Sequence, residues 1–291
     1  LTNTTASFNT AVGAKALALN TTGAQNVAVG DHALKSNTTA SFNTALGQGA
    51  MLENTTGTRN LAIGTNAYQN SDTESDNMAI GYNAMTTNTA GGSENIAIGN
   101  YAMDANTSGD RNVALGFHCL GANNAGISNT AIGYYTMASN TSGIDNTAVG
   151  RRALMNNTTA NDNTSVGMNS LYTNTGSSNT AVGKDALFAN TSAALSTAVG
   201  YKSLEDNVGT SNTALGANSA LQNTTGAYNL ALGTDSLRDN TTGDFNTAIG
   251  RAALQSNTTA DSNIAIGRNA MYLNTTGTRN IAIGALALDA S

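Results

Sequence analysis

The stretch NVAVGDHALKSNTTASFNTALG, residues 26–47, contains the unit from which the chain is built. It holds two glycines seventeen positions apart, Gly30 and Gly47, and each follows Ala and an aliphatic residue. A fixed period of this length is the signature of a repeat protein. The same glycine recurs in seventeen copies, and the interval is seventeen positions in thirteen cases, sixteen in two and eighteen in one. These glycines are Gly13, Gly30, Gly47, Gly64, Gly81, Gly99, Gly116, Gly133, Gly150, Gly167, Gly183, Gly200, Gly216, Gly233, Gly250, Gly267 and Gly284.

Each position of the repeat has its own residue type. Asn stands four residues before the glycine in every copy except that of Ser196, and Ala stands two before it except at Ser165. The residue just before the glycine is always Val, Ile or Leu. Two variable residues follow the glycine, and then in most copies a small residue and Leu or Met. Asn usually returns at the seventh position and opens an Asn-Thr-Thr corner.

The five residues Asn-x-Ala-aliphatic-Gly alternate between two faces, as a strand does. Asn, Thr and Gly are weak helix formers, and the corners have turn chemistry. We therefore predict an all-β chain, a parallel β-solenoid of seventeen coils with two short strands in each coil, in one domain over residues 1–291. The strand asparagines are expected to form a hydrogen-bonded ladder inside the coils. This structural ladder includes Asn9, Asn26, Asn43, Asn60, Asn77, Asn95, Asn112, Asn129 and Asn146.

The other face of the strand predicts contact with partner chains. It carries the aliphatic residue and the residue two before it, which is Thr10, Val27 or Thr44 in the first three coils. These residues form an aliphatic stripe, which soluble monomers avoid exposing to water. We expect the stripe to be buried in a homo-oligomer, although a wider coil that encloses both faces is an alternative.

Composition excludes several classes of function. Only 10% of the residues are charged and the formal net charge is −6, so a nucleic-acid partner is not expected. The sequence has no apolar run long enough to cross a bilayer, so we expect no membrane insertion by this segment. The two histidines, His32 and His118, lie five coils apart, and Cys119 occupies a slot that is Ala or Ser in most other coils. We therefore expect neither catalytic residues nor a cofactor, so the chain should not be an enzyme.

Two other features have competing interpretations. The segment SDTESDN replaces the usual corner with Asp72, Glu74 and Asp76, which suggests either a calcium loop or, as we favour, a solvated variant turn. The Asn-Thr-Thr and Asn-Thr-Ser triplets match glycosylation sequons, but corner formation is the simpler interpretation. The sequons include Asn20, Asn37, Asn106 and Asn240.

The two variable positions after the glycine are expected to face solvent. In three successive coils they are aromatic or cationic, and stacked coils would align them in a column. This column predicts either a ligand-binding surface for sugars or a protein, or mere stacking that stabilises the coils. Its residues are Phe117, His118, Tyr134, Tyr135, Arg151 and Arg152.

The motifs NVAVG, NLAIG, NMAIG and NIAIG resemble the repeats in YadA-like head domains of trimeric autotransporter adhesins, and the NTTG…NTAIG arrays are similar to those of repetitive phage and bacterial tail-fibre-like proteins. The resemblance covers the whole chain, although the coil of this chain is longer than the head-domain unit. It implies a homotrimer of left-handed parallel β-rolls on a cell or virion surface that binds matrix, glycan or a host receptor.

We therefore expect a structural extracellular fibre or adhesin segment that displays a rigid repetitive surface. One alternative is a subunit of an end-to-end extracellular filament. A second is an ice-binding solenoid, because stacked threonines on a flat face form a regular array. Against ice binding, the threonine pairs lie at corners, and their columns are interrupted by Asp72, Asn124 and Val208.

Overall fold

The computed structural model describes residues 5–289, and this part of the chain is an all-β parallel β-solenoid without helices. The predicted all-β parallel β-solenoid is therefore confirmed, with one strand in each of seventeen coils. The residues form two compact units, which meet in the sequence between Asp145 and Asn146. The repeat does not mark this division, because the spacing of Gly133 and Gly150 is the regular one.

Each strand has three residues centred on the repeated alanine or, in β10, on a serine. The strands of the first unit are β1 (Thr10–Val12), β2 (Val27–Val29), β3 (Thr44–Leu46), β4 (Leu61–Ile63), β5 (Met78–Ile80), β6 (Ile96–Ile98), β7 (Val113–Leu115) and β8 (Thr130–Ile132). Those of the second unit are β9 (Thr147–Val149), β10 (Thr164–Val166), β11 (Thr180–Val182), β12 (Thr197–Val199), β13 (Thr213–Leu215), β14 (Leu230–Leu232), β15 (Thr247–Ile249), β16 (Ile264–Ile266) and β17 (Ile281–Ile283).

Within each unit, consecutive strands pair in parallel and in the register of the repeat. Val27 lies opposite Thr44 and Ala28 opposite Ala45 in the β2–β3 pair. Changes in coil length do not alter this register: β5 and β6, which enclose the one longer interval, still place Ala79 opposite Ala97. Equivalent side chains therefore stack directly on one another from coil to coil.

The predicted second strand in each coil was wrong. Residues 31–36 form turns rather than a strand, and His32 and Leu34 have φ values of 60° and 48°. The left-handed region curls the backbone, whereas a strand needs extended φ angles. The turns still bond to the neighbouring coil, because the Leu34 N–H donates to the Ala50 carbonyl at 3.0 Å.

The repeated glycine is required by both conformation and space. Gly30 has a φ of 140°, which L side chains rarely adopt, and a Cβ placed on it would lie 2.4 Å from the Gly47 carbonyl oxygen. Only glycine lets adjacent coils approach this closely.

The interior of the coils is filled by side chains. The strand alanine and the small residue and Leu or Met after the glycine are almost fully buried in most coils, as in Ala28, Ala33 and Leu34. The strand asparagines are also buried, whereas the outward-facing Val27 and Leu46 are 38% and 46% exposed. The strand therefore has the inward and outward faces that its alternation predicts. The described residues contain no helix long and apolar enough to cross a membrane.

Candidate functional site

The strand asparagines bond to the next coil through their side chains and to the preceding coil through their backbone N–H groups. The Asn43 Oδ1 accepts the Asn60 N–H at 2.9 Å, and the Asn43 Nδ2 donates to the Gly57 carbonyl at 2.8 Å. The Asn43 N–H itself donates to the Asn26 Oδ1 at 2.9 Å. The hydrogen bonds of this ladder therefore run mainly between side chains and backbone groups, rather than from one side-chain amide to the next. At Ser196 the shorter side chain accepts the Asn212 N–H at 3.3 Å.

A second row of buried asparagines supplies the amide–amide ladder. The Asn37 Nδ2 donates to the Asn20 Oδ1 at 2.8 Å and to the Ala40 carbonyl at 3.1 Å. Sequence reasoning assigned these residues to turns and missed this role, although their recurrence at the seventh position after the glycine was a visible signal. The row consists of Asn20, Asn37, Asn54, Asn88, Asn106, Asn123 and Asn140 in the first unit and Asn157, Asn174, Asn190, Asn207, Asn223, Asn240, Asn257 and Asn274 in the second.

The second asparagine row includes the sequons found in the sequence. Asn20 is 2% exposed, and Asn37, Asn106 and Asn240 are completely buried. Their Nδ2 atoms, to which a glycan would be attached, donate hydrogen bonds inside the coil. This geometry favours the corner interpretation over glycosylation of the folded chain.

The corner threonines form a third row, which is directed along the stack. The Thr21 Oγ1 donates to the Thr38 carbonyl at 2.9 Å, and the Thr38 Oγ1 donates to the Thr55 carbonyl at 3.2 Å. Because these hydroxyls already donate to backbone carbonyls, they do not form an array of free donors for ice. The ice-binding alternative therefore loses support from these threonines.

The acidic corner compensates for the longer interval between Gly81 and Gly99. In the preceding coil the Thr55 and Thr56 N–H groups donate to the carbonyl of Asp72. The corresponding amides of Asp72 and Thr73 instead donate to the Glu74 Oε2, at 2.9 and 3.0 Å. The Glu74 Oε1 accepts the Gly91 N–H at 3.1 Å, in the corner that contains the extra residue. Glu74 is 4% exposed and replaces acceptors that the extra residue displaces.

The other two acids of this corner point to different partners. The Asp76 carboxylate pairs with the Arg59 guanidinium at 2.6 and 2.7 Å, and Asp72 accepts a hydrogen bond from the Thr55 hydroxyl. The hydrogen bonds from Arg59 lower the pKa of Asp76, although both groups are exposed. Because the three carboxylates diverge, this corner does not form a calcium loop. In the described part of the chain, no three His, Cys, Asp or Glu side chains are placed to hold a metal.

One coil accommodates a tyrosine in its interior. Tyr68 takes the place of Leu or Met, and its hydroxyl oxygen accepts hydrogen bonds from the Nδ2 atoms of Asn77 and Asn88 at 2.6 and 3.2 Å. Ser71 replaces the asparagine of the second row and leaves room for the phenol. Burial, followed by repulsion from Glu74, raises the pKa of Tyr68 above its ordinary value.

The first unit brings four of the predicted column residues together. Phe117 stacks on Tyr134 with centroids 5.5 Å apart, and His118 stacks on Tyr135 at 5.0 Å. Sequence reasoning missed Tyr101, whose ring meets the edge of Phe117 at 5.9 Å and that of Tyr82 at 5.4 Å. Aromatic residues at the two variable positions of four consecutive coils were the available signal.

The rings of this aromatic column pack mainly against one another. The stacked pairs Phe117–Tyr134 and His118–Tyr135 place their faces together, so ring edges are left for solvent. Phe117 and Tyr134 nevertheless remain 37% and 48% exposed. This geometry favours stabilisation across coils and leaves edges and hydroxyls for a partner.

The two cationic residues of the predicted column lie in the second unit. Arg151 is exposed, and its Nη2 lies 3.1 Å from the Met168 sulfur. Arg152 is half-buried and has a left-handed φ of 58°.

The described nucleophilic and basic groups lie in separate environments. Cys119 is buried, and this burial raises the pKa of its thiol, which disfavours the reactive thiolate. Its Sγ donates to the Gly133 carbonyl, so it packs as a small interior residue. His32 lies 2.8 Å from the carboxylate of its neighbour Asp31. Burial raises the pKa of Asp104, and attraction from His118 partly opposes this rise.

The outward side of the strands is a regular surface in each unit. It consists of two rows, one formed by the first residue and one by the third residue of each strand, hereafter the first outward row and the second outward row. Neither row contains a charged residue in any of the seventeen strands. The second outward row is entirely Val, Leu or Ile, and the first outward row is Thr in nine strands and aliphatic or Met in eight.

No protein-family model matches the chain, and neither the curated proteins nor the solved structures contain a match.

Proposed function

We propose that the chain is a structural segment of an extracellular fibre or adhesin on a bacterial or virion surface. In this proposal its coils are left-handed and three copies form a homotrimer, as the resemblance to YadA-like head repeats implies. The trimer displays a rigid repetitive surface to a host protein, matrix or glycan. Repeated weak contacts then add through avidity.

The observation that carries the proposal is the uncharged outward face of the strands. Four of its side chains, Val27, Leu46, Ile96 and Leu115, are 37–46% exposed. Thirteen of the sixteen side chains in the two outward rows of the first unit are apolar. With on the order of 50 Å² exposed per side chain, these thirteen offer roughly 650 Å², close to the ~800 Å² that each partner contributes to a standard interface. An apolar surface of this size marks an interaction site rather than a free surface.

The interior supports a structural rather than a catalytic role. The buried asparagine side chains of both rows bond to backbone or to each other, and Leu, Met and Ala fill the remaining space. A catalytic site instead needs polar groups that converge on a pocket. We therefore propose no enzyme activity, no cofactor and no nucleic-acid partner.

The mass of the protein in solution tests this proposal directly. Light scattering after size exclusion is expected to give three times the chain mass of 29.4 kDa. A monomer would contradict the trimer and leave the outward rows in water. Long polymers would instead favour the end-to-end filament.

Binding through the aromatic column is a separate part of the proposal. The triple variant Tyr134→Ala, Tyr135→Ala, Arg151→Ala should lose binding to immobilised matrix proteins or glycans that retain the wild-type protein. Replacement of Tyr172 by Ala, at a different position of the repeat, is the control. Undiminished binding of the triple variant would rule out this column as the contact surface.

A further inference from the structure

Apolar residues in the first outward row are concentrated in one part of the first unit. Four consecutive strands, β4 to β7, carry Leu61, Met78, Ile96 and Val113 at this position. Each strand also carries an aliphatic residue in the second outward row. Both outward positions are therefore apolar over four coils, which occurs in no other four successive strands of the described chain.

The strand register makes these side chains contiguous. Leu61 lies opposite Met78, Met78 opposite Ile96, and Ile96 opposite Val113. Thr44 precedes the series in β3 and Thr130 follows it in β8. In the first outward row the apolar series is thus bounded at both ends by hydroxyl groups, while the second outward row continues with Leu46 and Ile132.

We propose that the outward face of β4–β7 is the segment through which copies of this chain bind one another. The inference rests on the self-association proposed above and names the part of the surface that drives it. A central apolar cluster with more polar neighbours is the usual arrangement of the core and rim of an interface. The threonine-rich strands on either side extend the contact and contribute less to affinity.

The absence of charge on this face favours a second copy as its occupant. In a trimer, the face that lines the threefold axis meets the same face of the other two copies, so a charged row there would meet its own charge. The rows of β4–β7 contain only Leu, Met, Ile and Val. Their coil spacing of about 4.8 Å is the same in every copy, so rows can pack without mismatch.

The chain offers a matched substitution as a test. Threonine already occupies the first outward row in nine strands, so the fold accepts it there. We expect the variant Leu61→Thr, Met78→Thr, Ile96→Thr, Val113→Thr to raise the dissociation constant of the oligomer by roughly 100-fold or more. Sedimentation velocity over a dilution series measures this change, and circular dichroism verifies the fold.

The remaining apolar residues of the first outward row provide the control. The variant Val27→Thr, Leu230→Thr, Ile264→Thr, Ile281→Thr makes the same number of substitutions, but never in more than two successive strands. It should raise the dissociation constant by less than about 10-fold. Equal weakening by both variants, or by neither, would overturn the assignment to β4–β7 while the oligomer itself stands.

The wild-type protein separates this inference from the proposed function. If it is an oligomer, only the two variants decide whether β4–β7 is the association segment. If it is monomeric at all concentrations, both the proposed trimer and this segment are wrong. A monomer that also inhibits ice recrystallisation would identify water as the occupant of the face and would likewise overturn the inference.

Discussion

At the scale of single residues, asparagine has the geometry that each coil needs. Its side chain has an acceptor oxygen and a donor nitrogen on one short stem. Asn43 uses them to bond a backbone N–H of one neighbouring coil and the carbonyl of Gly57 at once. An aspartate lacks the donor and a leucine lacks both groups, which explains why one residue type occupies this position sixteen times in seventeen.

Replacing one ladder asparagine should lower the free energy of unfolding by more than the loss of so small a side chain suggests. Asn43→Ala leaves the buried Asn60 N–H without its acceptor, while the Gly57 carbonyl keeps the Asn54 Nδ2 as a donor, so we expect the free energy of unfolding to fall by about 1–3 kcal/mol. Urea denaturation followed by circular dichroism measures the loss. Asn43→Ser, which copies Ser196, should lose less because its hydroxyl still accepts a bond. Equal losses for the two variants would contradict a role for the acceptor.

At the scale of the element, several exceptions to the repeat occur together with a second change that compensates for them. Tyr68 is accompanied by Ser71, and the extra residue near Gly91 is accompanied by Glu74. Ser165 is similarly paired with Ser170, whose hydroxyl lies 2.5 Å away. Each set restores the hydrogen bonds or the volume that a single change would remove.

The buried phenol of Tyr68 predicts sensitivity to alkali. Because its pKa is raised in the folded state, the folded chain holds this proton more tightly than the unfolded chain. The contribution to stability is fully present below the ordinary tyrosine pKa of about 10 and is lost as pH rises above it. Thermal unfolding between pH 8 and 11 should show a steeper decline in melting temperature than for Tyr68→Met combined with Ser71→Asn. Parallel curves would contradict this linkage.

The corner of Glu74 predicts coupling between two changes that lie seventeen positions apart in the sequence but in contact in the structure. Glu74→Gly removes the acceptor of the Asp72, Thr73 and Gly91 amides, and should lower the free energy of unfolding by about 1–3 kcal/mol. Deleting Gly91 in the same chain restores the regular interval of the repeat and should recover most of this loss. A double-mutant cycle measured in urea gives the coupling, and additive effects would show that the two features are independent.

At the scale of the whole molecule, repetition assigns opposite roles to the two sides of every strand. On the inward side, the polar groups form hydrogen bonds in the asparagine ladders. The outward side has no charge and contacts a partner in the proposed trimer. Stacked repeats bury a continuous core only with their neighbours, so stability and display depend on the same regular spacing.

The buried sequons give a prediction for the folded molecule. An oligosaccharyltransferase added to the native protein should leave Asn20, Asn37, Asn106 and Asn240 unmodified, because their amides are buried and hydrogen-bonded. The denatured chain serves as the positive control, and intact-mass spectrometry counts the glycans. Among the sequons of residues 5–289, the partly exposed Asn156, in Asn-Asn-Thr, is the position expected to be modified first. Glycans on Asn37 of the native chain would contradict the ladder geometry.

The sequence by itself determined the coil number, the position of the one strand that each coil contains and the two faces of that strand, but it also predicted a second strand where the chain forms turns. The coil number and the strand position follow from the period of the repeat. The two faces follow from the alternation along the strand, because neighbouring residues of a strand point to opposite sides. Asn9, Asn26 and the rest of the predicted ladder were found in this way.

Only the tertiary structure decided how the corners and the aromatic column are arranged. The meeting of Tyr101 with Phe117 and the inward turn of Glu74 depend on side chains about one coil apart. Their directions are set by left-handed backbone at residues such as His32 and Leu34, which no residue type indicates because these conformations are disfavoured outside Gly, Asn and Asp. The stacking of complete coils holds that backbone in place, and it exists only once the chain has folded.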